Sequence, residues 1–421
     1  MARRVAIIGG GAAGIFAALG AREEGADAVI YERNRRLGIK ILISGGGKCN
    51  ITHEAEPREM EEGFIRRESR FLRFAFHELT AARVLDALHA EGVETVTRPN
   101  GRVFPASGRA EDVLAAFERM LMDAGAGLRT GALVEGIAVD GGRVAGVRVG
   151  GAVEPYDAVV IATGGMSYRK VGTTGDGIRW GEALGHAIEP VRAALAPIYF
   201  PTPPPSDWQG VALRDVRFYL ERDGRAPKLP RGEEFPIEWR DDLLLTHRGV
   251  SGPAALEISR AAARLAEDGA PVALVVDPLP DLSAGELQEA WERRAARKAE
   301  VQTFIEGYLP RALVRYMLDS AGVRHGLKMS EATRDARQSL LKHLKGWRLG
   351  DVGEVPLDRG EVSAGGIALG EVSPTTMGSK RVAGLYIAGE ALDISGCVGG
   401  YNLQAAFSTG YVAGRSAARM A

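Results

Sequence analysis

Residues 1–20 read MARRVAIIGGGAAGIFAALG, and the fold turns on whether this stretch is an export signal or a strand-turn-helix unit. Arg3 and Arg4 ahead of an apolar run imitate the start of a signal peptide. The glycines point elsewhere. Gly9, Gly11 and Gly14 form G-x-G-x-x-G. Val5-Ala6-Ile7-Ile8 before them reads as a buried parallel strand, and a helical pattern runs from Ile15 to about Glu24. Ala28 to Tyr31 reads as a second strand ending at Glu32. That acid lies about 20 residues past the glycines, where a carboxylate holds a ribose hydroxyl in dinucleotide-binding βαβ units. In such a unit Gly9 allows the tight turn, Gly11 lets the backbone approach a pyrophosphate, and Gly14 lets helix and strand pack closely. The helix start, with Ala12 and Ala13, offers free N–H groups and a positive dipole end. The βαβ unit needs residues that a signal peptidase would remove, so the N-terminus is expected to remain on a mature, cytoplasmic protein.

Composition narrows the class. The chain has 421 residues, 45% hydrophobic and 25% charged, enough for more than one core. A formal net charge of -1 gives no electrostatic reason to expect nucleic acid or an anionic membrane as partner. The two cysteines, Cys49 and Cys397, make no disulfide framework and suit a reducing compartment. No apolar run is long enough to span a bilayer, and no metal site is expected. The 55 glycines cluster in loops, which marks places where backbone approaches something closely.

Along the chain, Arg33 opens a basic run leading to Lys40 and a second glycine loop, Ser44-Gly45-Gly46-Gly47, followed by Asn50. Its N–H groups suit an anion or a cofactor edge. Glu94 to Pro105 reads as a hairpin and Ala110 to Ala124 as a helix. Ala158 to Ile161 reads as another buried strand, ending in Ala162-Thr163-Gly164-Gly165, where small residues leave room for a nucleotide. Asp176 follows the loop Gly172 to Gly175 and reads as a helix N-cap. Eight prolines in 197–236 and alternating segments at 211–221 and 239–246 suggest an inserted β-rich domain. Residues 283–345 have helical periodicity, and the basic run from Arg293 to Lys298, flanked by glutamates, reads as a solvated helix face. Thr246-His247-Arg248-Gly249-Val250-Ser251-Gly252-Pro253 reads as a strand, a turn and a helix start. His247 there is a candidate for proton transfer or for binding an anionic substrate. Near the end, Gly384 to Glu390 reads as a strand closing on Gly389 and an acid. Ser395 to Gln404, containing Gly399, Gly400, Asn402 and Leu403, then feeds a small-residue helix whose positive end suits a flavin pyrimidine that becomes anionic on reduction.

Taken in order, the blocks GGGAAG, YERN, GIKILISGGGKCNIT, VVIATGGMSYRKVGTTGDG, LLLTHRGVSGP, VSAGGI and GLYIAGEALDISGCVGGYNLQAAFSTGYVAG resemble the BaiN-like flavoproteins, also called the aminoacetone-oxidase-type FAD-binding family. The resemblance implies an α/β fold: a glutathione-reductase-like Rossmann FAD-binding domain in two pieces, 1–194 and 351–421, with an inserted β-barrel-like domain at 195–282 and a helical subdomain at 283–350. It implies bound FAD, with Gly9, Gly11, Ala13 and Gly14 at the pyrophosphate and Glu32 at the adenosine ribose. Lys40 and the Ser44 to Asn50 loop border the cofactor, and Thr163 and Gly164 pass near it. Glu390 and Asp393 approach the ribityl-phosphate region, and Gly400 to Leu403 the flavin ring.

The expected activity is an FAD-dependent oxidoreductase that moves hydride between flavin N5 and a small organic substrate or NAD(P)H. With no second G-x-G-x-x-G in strand-helix context, NAD(P)H is expected only as a transient donor. Two alternatives stand beside this reading. One is an amine-type oxidase that passes electrons to oxygen. The other is a flavin-binding module for RNA or protein in which FAD is structural. The widely spaced cysteines argue against a redox dithiol.

Overall fold

The computed structural model describes residues 2–231, 233–295 and 299–419. They form two compact units, 1–192 with 361–421, and Ala193–Gly360.

The first unit is built on a five-stranded parallel sheet. Its order is Leu385–Ile387, Ala158–Ile161, Arg4–Ile8, Asp27–Glu32, Gly127–Thr130. The opening strand is central, and its Val5, Ala6, Ile7 and Ile8 are all buried. That is why its sequence is a continuous apolar run rather than an alternating one. Helix Ala12–Glu23 and the last helix, Tyr401–Arg419, lie side by side. A Cβ on Gly410 would overlap the carbonyl oxygen of Ala13, and one on Gly414 that of Ala17. Residue 410 thus meets 13 and 414 meets 17, so the two helices run parallel, backbone against backbone, with N-termini that point the same way, that of the last helix about eight residues, roughly 12 Å, beyond that of the first. Phe16 joins Phe407 of the last helix (ring centroids 4.6 Å apart) to Phe117 (5.3 Å) of helix Ala110–Asp123.

Strand Val362–Ile367 pairs with Ile188–Ala194, and two small three-stranded antiparallel sheets also belong to this unit. One orders Thr52–His53, Arg102–Pro105 and Thr95–Thr97 and contains the hairpin expected at 94–105. The other is Val134–Asp140, Arg143–Val149 and Ala152–Pro155, turning at Gly141-Gly142.

The second unit holds six antiparallel strands, in the order Ile198–Tyr199, Gly249–Ser251, Glu238–Leu245, Ala212–Glu221, Ala273–Asp277 and Trp347–Asp351. The Tyr199 N–H donates to the Glu354 carbonyl at 2.8 Å, and the Gly353 N–H to the Tyr199 carbonyl at 2.8 Å. These bonds join the first strand to the segment just past the last, so the sheet closes into a barrel and leaves no long edge. Helices Pro253–Ala266, Ala284–Ala295, Arg311–Ser320 and Arg334–Lys345 share one apolar core with it. Trp347, for example, packs on Trp208 with centroids 5.5 Å apart and donates its indole N–H to Ser320. The β-rich and helical segments therefore make one unit. It extends to Gly360, beyond the 350 boundary read from sequence, because Trp347–Asp351 is a barrel strand. Of the basic run, 296–298 lie outside the described residues; Arg293 ion-pairs with Glu289 one turn earlier, at 3.4 Å.

Candidate cofactor site

The glycine loop leaves the opening strand in a tight turn. Gly9 has φ +108°, a backbone region closed to most side chains, and a Cβ there would overlap the carbonyl of Ala162 at the end of the neighbouring strand. A Cβ on Gly14 would overlap the Gly9 carbonyl, so the helix start sits directly on the turn. Gly11 is the N-cap of helix Ala12–Glu23, and no side chain caps that helix. The first intrahelical bond, Ile15 N–H to the Gly11 carbonyl, is 3.0 Å. The N–H groups of Ala12, Ala13 and Gly14 therefore have no partner along the helix. A Cβ on Gly11 would meet no atom within 4 Å. Bare, positively polarised backbone with room beside it fits the phosphate oxygens of a dinucleotide.

Glu32 is buried at the end of the second strand. Its carboxylate accepts the Gly10 N–H at 2.7 Å and, on its other oxygen, the Asn34 backbone N–H at 2.8 Å and side-chain amide at 2.7 Å. It thereby fixes the glycine loop against the next segment. Arg33 donates to Thr174 at 2.6 Å and ion-pairs with Asp176 at 2.9 Å. Asp176 also pairs with Arg179. Asp176 is therefore not the cap expected from its position. Gly175, at φ +79°, occupies the N-cap, and the Asp176 carboxylate is drawn to the two guanidiniums. In the stretch Ala162 to Gly165, small residues are required by packing. A Cβ on Gly165 would overlap the Ser363 hydroxyl, and one on Gly177 the Thr163 hydroxyl.

Lys40 and Glu390, 350 residues apart, form a partly buried ion pair. Lys40 also donates to Ser167 at 2.9 Å. The other oxygen of Glu390 accepts the Ser363 N–H at 2.7 Å and its hydroxyl at 3.0 Å. Asp393, also buried, accepts the Gly365 N–H at 3.0 Å and pairs with Arg67 at 2.6 Å. Gly389 stands so close to the helix start that a Cβ would lie 2.8 Å from that of Ala13. Glu390 thus follows a residue packed on the glycine-loop helix, and each of the two acids expected near a ribityl chain carries a cation.

The second glycine loop begins as a helix at Ile39 and breaks at Ser44, where ψ is 150°; Gly45 and Gly46 then turn left-handed at φ +57° and +67°. Cys49, fully buried, follows. Burial pushes its thiol up to about 12, against a lowering contribution from a Ser44 hydrogen bond, so it is a packing residue at neutral pH. With its amide oriented to match its neighbours, Asn50 donates to the Thr52 and Val103 carbonyls at 3.3 Å and accepts the Gly400 N–H at 3.1 Å. His53 Nδ1 lies 3.2 Å from the Gly399 carbonyl, and its ring stacks on Tyr401 at 4.6 Å and 18°. The Asn402 side chain closes the preceding loop, accepting the Gly396 N–H at 2.8 Å and donating to the Gly396 carbonyl at 2.9 Å. Asn402 and Leu403 thus open the last helix with their backbone N–H groups facing its N-terminal end.

His53, Ser167, Ser363 and Arg67 were not singled out from sequence. Only His53 carried a local signal, three residues after Asn50 in one CNITH run. His247 belongs to the second unit and is an exposed residue at the tip of the hairpin between Glu238–Leu245 and Gly249–Ser251. It is not at the helix start, because the short strand Gly249–Ser251 intervenes before Pro253 opens the helix.

A parallel dinucleotide sheet, a bare glycine cradle and a second helix N-terminus that points the same way define an FAD-type nucleotide-binding protein. The chain belongs to the HI0933-like protein Rossmann domain family, whose model matches residues 3–416. It is similar to a 3-dehydro-bile acid delta(4,6)-reductase of Clostridium scindens, with 31% identity over 99% of each chain. It is also similar to a ribosomal RNA dihydrouridine synthase of Escherichia coli, with 29% identity over 96% of this chain and 95% of that one. Among solved structures, 3-ketosteroid delta1-dehydrogenase from Sterolibacterium denitrificans shares the fold, with a TM-score of 0.54 and 13% identity over 98% of this chain and 99% of that one. The protein is an FAD-dependent oxidoreductase. Among the described residues, no helix is long and apolar enough to cross a membrane.

Proposed function

We propose that this enzyme is a cytoplasmic reductase that takes hydride from NAD(P)H and adds it across a carbon–carbon double bond conjugated to a carbonyl. The observation that carries the reading is a set of two parallel helix N-termini that point the same way but are staggered, the first bare at Gly11 and the second opened by Gly399 and Gly400. The first holds the pyrophosphate on the N–H groups of Ala12 to Gly14. Glu32 meets the adenosine ribose. Glu390 and Asp393, each neutralised by a cation, frame the ribityl chain. The second helix start, from Gly400 to Leu403, faces the pyrimidine edge and favours negative charge there. Bound FAD supplies hydride exchange at N5. The reaction balances as NAD(P)H plus a proton plus C=C giving NAD(P)+ and CH–CH.

The direction is supported by the relatives' names, one a delta(4,6)-reductase and one a former of dihydrouridine, both of which describe hydrogen added across a double bond. The second of those names favours a further reading, in which the acceptor is a uracil ring within RNA. The test is anaerobic incubation with NADPH or NADH and either a 3-keto-4-ene steroid or uridine-containing RNA, followed by mass spectrometry. A gain of two hydrogens on the steroid supports the small-molecule reading, and a gain on RNA alone transfers it to the second. If neither gains hydrogen while an amine substrate yields hydrogen peroxide in air, the protein is an oxidase.

A further inference from the structure

One peptide group at the start of the last helix is gripped from both sides by a single short segment. The Gly399 carbonyl faces His53 Nδ1 at 3.2 Å, and the Gly400 N–H donates to Asn50 Oδ1 at 3.1 Å. Both jaws come from the run Cys49 to His53, and Gly400 lies so close to it that a Cβ would overlap the Thr52 backbone. The grip fixes the tautomer of His53. A carbonyl only accepts, so Nδ1 carries the proton. The ring is held besides by its stack on Tyr401 and by Gly101, whose bare α-carbon leaves room for it. The gripped peptide needs holding. Gly399 and Gly400 have φ of +140° and +96°, and two glycines in sequence rotate at little steric cost. The Gly400 carbonyl also accepts the first helical bond, from Gln404 at 3.0 Å. The orientation of this residue therefore sets the direction in which the helix start presents the N–H groups of Asn402 and Leu403.

We propose that Asn50 and His53 are positioning residues that lock the Gly399–Gly400 peptide, so that the helix N-terminus is preorganised toward the negative charge of the reduced flavin. The inference rests on the reading that places the pyrimidine edge at this helix. A preorganised dipole favours the reduced form more than a loose one does. Unlocking the peptide therefore lowers the affinity for reduced relative to oxidised flavin and makes the midpoint potential more negative. An Asn side chain places an amide donor at the same distance from its backbone as His Nδ1, so His53→Asn restores the lock. His53→Phe keeps a ring to stack on Tyr401 but has no donor.

The experiment uses the FAD-loaded full chain and three variants, His53→Phe, His53→Asn and Asn50→Ala. Two quantities are read: hydrogen exchange of the 399–403 amides, and the midpoint potential by dye equilibration. The expected result for His53→Phe and Asn50→Ala is about tenfold faster exchange at Gly400 and about a tenfold loss of preference for reduced flavin, which is about 30 mV for a two-electron couple. His53→Asn should match the wild type in both. Either jaw variant reads the lock, so failure of one to fold leaves the other as the test. Unchanged exchange in the jaw variants overturns the lock. Faster exchange with an unchanged potential overturns its role toward the flavin. Exchange of 400–403 compared in FAD-free and FAD-loaded wild type tests the placement separately. No protection by FAD overturns that placement, and the flavin part of the inference with it.

Discussion

Replacing Gly11 by Val separates the cofactor cradle from the fold. A Cβ at Gly11 meets nothing in the protein within 4 Å, whereas at Gly9 or Gly14 it would overlap backbone. Gly11 has ordinary extended dihedrals, φ -85° and ψ -168°, so Val is not strained there. The FAD-free protein therefore loses only the difference between Gly and an aliphatic residue as N-cap, about 1 kcal/mol. For a unit this size that is a fall of about 2–4 °C in Tm. Cofactor binding fares differently. On the proposed placement, the Val methyl groups would occupy the space where a phosphate oxygen meets the Ala12 to Gly14 N–H groups, and forced overlap of that kind costs about 1–3 kcal/mol or more. Each 1.4 kcal/mol is tenfold in Kd, so FAD should bind on the order of a hundredfold more weakly. The assay is a fluorescence titration of FAD-free protein with FAD, beside thermal unfolding without FAD. A Gly11→Val protein with wild-type Kd would refute the placement of the pyrophosphate. A Gly11→Val protein that does not fold would refute the claim that the position is open. Gly14→Ala is the control, and it should unfold well below the wild type whether or not FAD is present.

Three further outcomes are expected. Glu32→Ala leaves the Gly10 and Asn34 N–H groups without their acceptor, which costs about 1–3 kcal/mol, and should lower the flavin-to-protein ratio after dialysis; an unchanged ratio would count against the ribose role. Native Cys49 should react with a thiol reagent at pH 8 no faster than the protein opens, because its thiol is pushed up to about 12; rapid, complete labelling would contradict its burial. Arg419 and Arg415 hold the Glu24 carboxyl down at about 2, so its pairing stabilises the fold above the ordinary carboxylate range, and that stability is lost as pH falls toward 2. The Tm gap between wild type and Glu24→Gln should therefore be constant near neutrality and shrink below about pH 4.5; a gap that persists at pH 2 would sink the assignment.

The glycine cradle was legible in sequence because its causes are local. Val5 to Ile8, the three spaced glycines and Glu32 each act within one βαβ unit, and the hairpin at 94–105 is likewise local. What sequence did not reveal depends on chain closure. Lys40 meets Glu390, Arg67 meets Asp393 and His53 meets Gly399 only once the first and last parts of the chain share a sheet. Two local readings failed because a neighbour changed the competition. Asp176 looked like a cap, but Arg33 and Arg179 claim its carboxylate. His247 looked like a helix-start residue, but Gly249–Ser251 pairs as a barrel strand and leaves it at a hairpin tip. The barrel itself was foreshadowed by alternation at 211–221 and 239–246, while its closure through Tyr199 and Glu354 has no sequence signature.

On the proposed function, the two helix N-termini hold an FAD that takes hydride from a nicotinamide donor. The most direct measurement is the visible absorbance of the purified, FAD-loaded protein under anaerobic conditions, before and after NADPH and then NADH. The flavin bands should bleach with one donor and return when a conjugated enone is added. Bands that survive both donors would contradict the reductase reading, and a protein that stays colourless after incubation with FAD would contradict the site itself.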